Sequence, residues 1–520
     1  MTRMSGRGGG PGGGKAPLSL GLVSGTCLAS RPGHPFTRSM CMRKTRRLWI
    51  AGLAVLTLVG CSGMDIGGGV GAPSGDMGGT AGGIQDIALA RRKIDAGEIP
   101  RAEDFTAEGL YAEHDLPLEG PPCEQVLCLR TAKGIATAID TGRQEVFVQV
   151  GFSSNVDPST FHRQPLDAAL VIDHSGSMQG EPMEAVKEAA RRLVAKLDEN
   201  DTLSLVIFDH TSQVLVKQTP VRDRQALLRA IDTIRVDGST CIECGLRDGY
   251  GQLATRELDA SRSRRVFLFT DAMPNVGQTQ EGGFMALLRD HSQEGRDLTL
   301  FGVNLAFDQS FVTAISSVRG ANAFYLSGAE RTRTVFDEDF DYLVTPIAYD
   351  LKMVLTPAPG FRVEAVYGVP GVAPGASLAS LEISTVFLSR RRGAVLARFS
   401  READIQPGQR MMSGEFSFTP ARGEASPPTL VTASYEGSEP LSSTGTWYSE
   451  DTVRKTAALT NFILGAQAAC TSWHAGDRAR ARELAERTVE LLRTHAEQLD
   501  DAGLRAEAEL ASKLAALMVP

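Results

Sequence analysis

The sequence lacks the motifs and the charge that several large protein classes depend on. No His-Glu-x-x-His or Gly-x-Ser-x-Gly motif occurs in the 520 residues, which argues against a zincin-type protease or a nucleophile-elbow hydrolase. There are only eight cysteines, and they do not form two pairs at zinc-finger spacing. Nine of the 54 basic residues lie in the first 60 positions, so 45 basic residues face 62 acidic ones over the rest of the chain. This acidic balance argues against nucleic acid as a partner.

Long apolar runs are also missing, and the run at Leu48–Val59 is too short to span a bilayer comfortably. It follows a basic segment at 43–47 and ends in Leu-Val-Gly-Cys, with the cysteine at position 61. This order resembles a bacterial lipoprotein signal peptide over residues 42–61, which implies cleavage before Cys61 and a lipid on its thiol. An ordinary signal peptide or an uncleaved anchor is the alternative. Residues 1–41 carry no recognisable signal, and we expect them to be a non-native extension.

The residues that follow the cysteine bear on localisation. By the same resemblance, Ser62 in place of an aspartate after Cys61 favours the outer over the inner membrane of a bacterial cell envelope. Residues 62–83 are dominated by glycine, a composition typical of a flexible tether. We therefore expect a lipid-anchored protein whose globular part is held away from the membrane surface.

An alternation of strands and helices follows. Continuous apolar runs predict buried strands at Leu166–Ile172, Thr202–Asp209, Arg264–Ala272 and Asp297–Asn304. Amphipathic segments between these runs predict helices. The pattern therefore predicts an α/β fold with a doubly wound, mostly parallel sheet over residues 165–330.

The segments on either side have other patterns. Residues 84–164 begin as a helical segment and contain an alternating strand at Glu145–Ser154. Short strands separated by Pro and Gly turns predict a β-sandwich-like domain over 331–450, and the strand at Glu145–Ser154 is a candidate to complete it. The α/β unit would then be an insertion in that sandwich. Residues 451–520 are rich in Ala, Leu, Glu and Arg and predict a C-terminal segment of packed antiparallel helices.

Oxygen-bearing side chains follow the ends of the predicted strands. Asp173, Ser175 and Ser177 follow the first strand, Thr240 lies in a loop that enters a helix, and Asp271 ends the third strand. Ligands of doubly wound sheets bind at the carboxyl ends of the strands, so we expect these residues to lie together. Two carboxylates and three hydroxyls, with no thiolate or histidine set, suit Mg²⁺ or Mn²⁺.

The order Asp-x-Ser-x-Ser, a later Thr and a later Asp resembles the metal-ion-dependent adhesion site (MIDAS) of the von Willebrand factor type A (VWA) family. The resemblance covers residues 166–327 and includes the sequences SGSM and TDAMPN. It implies a Rossmann-like VWA domain and a bound Mg²⁺ whose last coordination position takes an acidic group from a partner. A site that only stabilises its loops is the alternative.

The resemblance implies a binding protein and not an enzyme. We expect an envelope lipoprotein that captures an Asp or Glu of a protein ligand through Mg²⁺ and contacts the membrane through its lipid. Two alternatives stay open. The C-terminal helices would bind partners in an assembly scaffold, with the metal site secondary. A metal-assisted hydrolase would use Asp173 and Asp271, although the three site segments offer no obvious general base.

The cysteines of the exported part of the chain suggest local pairs. Cys241 and Cys244 form a Cys-x-x-Cys next to the ligand threonine, where the family often has Asn. A disulfide, a redox pair and half a zinc site are the three interpretations, and export favours a disulfide that stiffens this loop. The same argument pairs Cys123 with Cys128 and leaves Cys470 as a buried thiol in an apolar helical stretch.

Overall fold

The structure is a computed structural model that describes residues 77–255, 259–271, 281–305, 309–372, 380–402, 410–421, 430–431 and 445–519. These residues all belong to one compact unit, Gly67–Pro520. The predicted extension 1–41, the signal peptide 42–61 with Cys61, and the first part of the predicted tether lie outside the described residues. The segment 272–280, which carries most of the TDAMPN sequence, also lies outside them.

Seventeen strands and twelve helices form within the described residues. In chain order the strands are β1 (Gly78–Ala81), β2 (Gly83–Ile84), β3 (Cys128–Thr137), β4 (Gln144–Ser153), β5 (Leu166–Asp173), β6 (Thr202–Phe208), β7 (Ser212–Pro220), β8 (Ser263–Thr270), β9 (Asp297–Gly302), β10 (Ala321–Tyr325), β11 (Pro346–Pro357), β12 (Phe361–Tyr367), β13 (Ser380–Ser389), β14 (Ala394–Arg401), β15 (Met412–Pro420), β16 (Leu430–Val431) and β17 (Trp447–Tyr448). The helices are α1 (Ala88–Asp95), α2 (Ala107–Glu113), α3 (Glu181–Lys196), α4 (Arg224–Thr233), α5 (Ile242–Ala254), α6 (Glu281–Gln293), α7 (Gln309–Ser316), α8 (Ala329–Arg333), α9 (Phe340–Leu343), α10 (Asp451–His474), α11 (Arg478–Leu499) and α12 (Ala502–Leu517).

The first sheet confirms the predicted doubly wound fold. Its order is β2-β10-β9-β8-β5-β6-β7, and every neighbouring pair is parallel except β6 and β7. Along β5, Leu170 and Ile172 enter a core with α3, whereas Ala169 and Val171 enter the opposite core with α5. Both faces are covered, which explains why the strand reads as an unbroken apolar run.

The second sheet is antiparallel and consists of two halves that share one core. One half has the order β12-β14-β4-β3-β17 and the other β1-β13-β11-β15-β16, and the single pair Gly78 and Ser153 connects them. Val148 and Val395 of the first half share a hydrophobic core with Leu351 and Ile383 of the second. The arrangement is therefore sandwich-like. Apart from β2, the strands of the α/β domain are inserted between β4 and β11.

The predicted tether ends earlier than Gly83, which is a correction to the sequence analysis. Strand β1 lies between β13 and β4, and β2 pairs with β10 of the first sheet. Glycine-rich sequence normally indicates a linker, but here the glycines permit close packing. A Cβ on Gly79 would lie 2.7 Å from Val386 Cγ1, so a larger residue would not fit there without a shift.

The boundary expected at residue 330 also differs from the structure. Residues beyond it continue the α/β domain through α8, a π-helical turn at Thr334–Glu338, and α9. Phe336 packs with Phe301 at a ring-centroid distance of 4.9 Å, and Phe340 stacks on Phe267 at 5.9 Å. These fully buried rings belong to one core of the first sheet, so the sandwich strands resume only at β11.

The C-terminal segment is helical, as predicted, and forms three helices. Helices α10, α11 and α12 share a hydrophobic core with α1 and α2, to which Leu110, Phe462 and Leu492 contribute. The helices are therefore packed on the rest of the protein through apolar side chains. Among the helices of the described ranges, none combines the length and apolar character needed to cross a membrane.

Candidate metal-binding site

The site lies where the strand order of the first sheet reverses. From β5 the chain continues to β6 and β7 on one side, and β8 and β9 lie on the other. Because β5 and β8 are parallel and Ile172 pairs with Phe269, their carboxyl ends meet at one edge of the sheet. Asp173 and Asp271 stand at these two ends, and both are 0% exposed.

The Asp173 carboxylate is held by hydrogen bonds to both oxygens. The Ser175 N–H donates to Oδ1 at 2.9 Å, and the Thr270 hydroxyl donates to Oδ2 at 2.7 Å. Burial raises the pKa of Asp173 to about 6 and the nearby Asp271 charge adds to the rise, although these hydrogen bonds oppose it. Two buried carboxylates that repel each other are electrostatically suited to a bound cation.

The two serines place hydroxyls beside this carboxylate. Ser175 and Ser177 flank Gly176, which begins a 3₁₀ turn ahead of α3, and their Oγ atoms are 3.2 Å apart. Ser175 is 1% exposed, whereas Ser177 is exposed. The site therefore runs from a buried hydroxyl to one at the surface, which leaves a side open to a ligand.

The Thr240 loop docks on the serine loop through its backbone. Gly176 N–H donates to Gly238 O at 3.1 Å, and Asp237 N–H donates to His174 O at 2.8 Å. Thr240 itself is 1% exposed. The structure thus brings the three predicted segments together at one edge of the sheet, with Thr240 buried in the loop that is bonded to the serine loop.

Helix α5 lies close enough to the sheet to hold that loop in place. A Cβ on Gly245 would lie 2.4 Å from Phe208 Cδ1, and one on Gly249 would lie 2.4 Å from Val171 Cγ2. Real Cβ atoms essentially never approach so closely, so the glycines permit α5 to pack directly on β5 and β6. The loop that enters α5 is carried to the strand ends as a result.

Two residues that support the site were not identified from the sequence. Thr270 orients Asp173, as described above. Asp209 follows β6 and is buried; its carboxylate accepts from Thr211 N–H at 2.8 Å and lies 3.1 Å from His210 Nδ1. Burial acts to raise the pKa of Asp209, but the bonds from Thr211 and the two nearby histidines lower it overall. Both residues stand at the ends of apolar strands, which marks them as candidates, but the sequence does not show which side chains they contact.

Four cysteines form two local disulfides, one beside this site and one away from it. Disulfides join Cys241 to Cys244 and Cys123 to Cys128, with Cα atoms 5.3 and 5.8 Å apart. Cys470 is a buried free thiol in α10, and burial raises its pKa to about 12. The Cys241–Cys244 bridge is next to Thr240, so one of the two disulfides belongs to the loop of the candidate site.

The chemistry of the donor set fits a hard divalent cation. Within the ranges that the structure describes, no group of three or more His, Cys, Asp or Glu side chains has the arrangement of a metal cluster. The candidate site instead combines two carboxylates with three hydroxyls. Neutral hydroxyl and anionic carboxylate oxygens suit Mg²⁺ or Mn²⁺, which prefer hard ligands and retain some water.

A doubly wound sheet with hydroxyl and carboxylate oxygens at its switch point defines the class of this domain. The sequence profile of the von Willebrand factor type A domain matches residues 168–274. That range contains Asp173, Ser175, Ser177, Thr240 and Asp271. The chain therefore contains a VWA domain.

Similar proteins match only part of this chain. The protein sll0103 of Synechocystis sp. is 29% identical over 212 residues, which cover 41% of this chain and 50% of that protein. Inter-alpha-trypsin inhibitor heavy chain H2 of Sus scrofa is 25% identical over 205 residues, or 38% of this chain and 22% of the heavy chain. The chain thus spans half or less of the length of these curated relatives.

A solved structure extends the fold comparison beyond the VWA domain. The von Willebrand factor type A protein from Catenulispora acidiphila superposes with a TM-score of 0.51 at 15% sequence identity. The match covers 72% of this chain and 88% of that chain. At this identity the similarity concerns the fold alone.

Proposed function

We propose that this protein is a binding protein of the bacterial cell envelope that captures a protein ligand through Mg²⁺, or Mn²⁺, at the VWA site. The single observation that carries the proposal is the pairing of Asp173 and Asp271, both fully buried, beside the hydroxyls of Ser175 and the exposed Ser177. This arrangement collects negative charge inside the domain while one donor faces solvent.

The chemistry of the proposed site explains why the ligand would be acidic. Ser175, Ser177 and Thr240 would contribute neutral oxygens, and the carboxylates of Asp173 and Asp271 would act directly or through water. A divalent cation in this set keeps an attraction for a further anionic oxygen. An Asp or Glu side chain of the partner supplies one, and the cation then bridges the two proteins.

The domain comparison supports interaction or adhesion as the general role. The match to the VWA profile includes all five donor positions. We also propose that Cys61 carries the lipid and anchors the protein at the outer membrane. The replacement Cys61→Ser should move the protein from the membrane fraction to the soluble fraction of the envelope. An unchanged membrane fraction would contradict lipidation at Cys61.

The first experiment is a calorimetric titration of the full chain with Mg²⁺ and with Mn²⁺. We expect saturable binding by the wild type and none by Asp173→Ala. In a second step, immobilised protein is incubated with envelope extract in Mg²⁺ and then washed with EDTA. Release of a bound protein by EDTA, and its recapture when Mg²⁺ returns, would support the bridging role.

Two results would count against the proposal. An absence of metal binding by the wild-type protein would remove the site. Metal binding with a partner that EDTA does not release would mean that the ligand binds elsewhere on the protein and that the metal is not the bridge.

A further inference from the structure

We propose that the Cys241–Cys244 disulfide positions Thr240 for metal binding, so that reduction of this bond by a dithiol lowers the affinity of the site for Mg²⁺. The inference rests on the proposed function and concerns its regulation. It starts from the way in which helix α5 begins.

A covalent bond, and not a capping hydrogen bond, links the N-cap residue of α5 to its first turn. Cys241 is the N-cap residue of α5, and its side chain makes no capping hydrogen bond. Cys244 is the third residue of the helix, so the bridge joins the N-cap and N3 positions. These are the two positions that a capping side chain normally connects, because the first backbone N–H groups of a helix have no partner within it.

Two other helices of the chain begin with an ordinary capping hydrogen bond to an aspartate side chain. Asp223 accepts from Ala226 N–H at the start of α4, at 2.9 Å. Asp501 accepts from Leu504 N–H at the start of α12, at 2.8 Å. In both cases the link runs from N-cap to N3. Helix α5 has a covalent bond between the same two positions, and cleavage of that bond leaves its first turn without this link.

The first turn of α5 is directly connected to the donor residue. Thr240 is the residue before the N-cap, and Cys241 N–H donates to Asp209 O at 2.6 Å. The first hydrogen bond of the helix runs from Gly245 N–H to Cys241 O at 3.3 Å. When this turn loosens, the backbone that fixes Thr240 loosens with it, and the hydroxyl is no longer pre-positioned for the cation.

The two sulfurs differ in access, which defines the reduction step. Cys241 is 1% exposed, whereas Cys244 is half-buried. A thiolate of the dithiol therefore attacks Cys244 Sγ, the Cys241–Cys244 bond breaks, and Cys241 leaves as a thiolate that takes up a proton. The second thiol of the reductant then displaces Cys244 as a thiol. The reductant gives up two electrons and two protons and becomes a disulfide.

The expected size of the effect follows from the small loop that the bond closes. The bridge restricts the disordered form of so short a loop and so favours its ordered form by a factor on the order of ten. We therefore expect about tenfold weaker Mg²⁺ binding after reduction. Binding is weakened and not abolished, since the four other donors lie on segments that do not contain the bridge.

The experiment measures the Mg²⁺ affinity of the full chain by calorimetry before and after treatment with dithiothreitol, with mass spectrometry to confirm reduction. The second disulfide provides a matched control, because Cys123→Ser/Cys128→Ser removes a similar bridge outside the site. We expect about tenfold weaker binding in the reduced wild type and in Cys241→Ala/Cys244→Ala. The control variant should bind as the oxidised wild type does.

A capping variant separates positioning from a general loss of structure. Cys241→Ser/Cys244→Ala restores an N-cap hydroxyl without the bridge, and it should recover part of the lost affinity and be insensitive to dithiothreitol. Equal affinity of the oxidised and reduced wild type would overturn the inference while leaving the proposed function intact. If the oxidised protein binds no Mg²⁺ at all, the proposed function fails, and the inference fails with it.

Discussion

The hydroxyl of Thr270 donates a 2.7 Å hydrogen bond to Oδ2 of Asp173 across the parallel pair β5 and β8. Since the Ser175 N–H donates to the other oxygen, the orientation of the Asp173 carboxylate is fixed by the fold. Thr270 thus acts on the candidate site through Asp173, and this dependence is open to a direct test.

Replacement of Thr270 by Val should weaken Mg²⁺ binding with little change in shape. The variant loses a hydrogen bond to a charged group, and we expect a cost of about 1.5–3 kcal/mol, or roughly 10- to 150-fold in affinity. Calorimetric titration measures the change. Thr270→Ser keeps the hydroxyl and serves as the control. If the serine variant loses as much affinity as the valine variant, the hydrogen bond is not the cause.

The replacement Asp173→Ala should separate metal binding from folding. In the metal-free protein the variant removes a buried carboxylate that Asp271 repels, so its thermal stability should equal or exceed that of the wild type. Added Mg²⁺ should raise the melting temperature of the wild type only. Scanning calorimetry with and without Mg²⁺ tests both statements, and Asp232→Ala, an exposed position on α4, is the control. Tight Mg²⁺ binding by Asp173→Ala would refute the site.

Burial determined which strands could be predicted from the sequence. Strands covered on both faces, such as β5 and β6, were predicted within one or two residues because their apolar runs are continuous. Strand β7 was not identified, since it lies at the edge of the sheet and carries exposed polar residues such as Gln213 and Lys217. Strand β1 was assigned to the tether because its glycines contribute packing space and little hydrophobicity.

For the candidate site, the donor residues could be read from the sequence, whereas the contacts that support them could not. The five donor positions follow from an ordered motif that local sequence displays. The supporting contacts depend on which strands become neighbours, and one sequence does not show that Thr270 will face Asp173. The same reason applies to Phe336, which lies beyond the expected domain boundary and yet packs on Phe301. Tertiary pairing, and not local pattern, determines these contacts.

His495 should make the stability of the protein sensitive to mild acid. Burial, assisted by the nearby Arg454 charge, lowers the pKa of His495 from 6.5 to about 4. Between these values the unfolded chain binds more protons than the folded one, so stability falls as the pH drops from 6.5 to 4. His495→Phe preserves an aromatic ring near Tyr448, which His495 contacts edge-on at 6.3 Å, and removes the titration.

Melting temperatures measured from pH 8 to pH 4 test this prediction. The difference in melting temperature between the wild type and His495→Phe should be constant above pH 6.5. Below pH 6.5 the melting temperature of the wild type should fall relative to that of the variant. A difference that stays constant over the whole range would mean that His495 titrates normally in the folded protein.

Four ionisable side chains connect the N-terminal and C-terminal helices. Glu507 on α12 lies 2.7 Å from Arg91 on α1 and 3.2 Å from His114, which follows α2, and the carboxylate is buried. Arg91 also pairs with Glu113 at 2.8 Å. Burial alone would raise the pKa of Glu507, but Arg91 and His114 lower it to about 2. The network therefore fixes α12 in place only while Glu507 is ionised.

Replacement of Glu507 by Ala should destabilise the protein strongly at neutral pH. It leaves His114 and part of Arg91 buried without their partner, and loss of one member of a buried ion pair costs about 3–5 kcal/mol. Because the pKa of Glu507 is lower in the folded state, this stability is present above about pH 4.5 and is lost as the pH falls towards 2. Denaturant unfolding at pH 7 and pH 3 tests both parts. The exposed neighbour Glu509 on the same helix provides the control Glu509→Ala, which should be neutral; an equal loss in the two variants would mean that helix propensity and not the ion network is responsible.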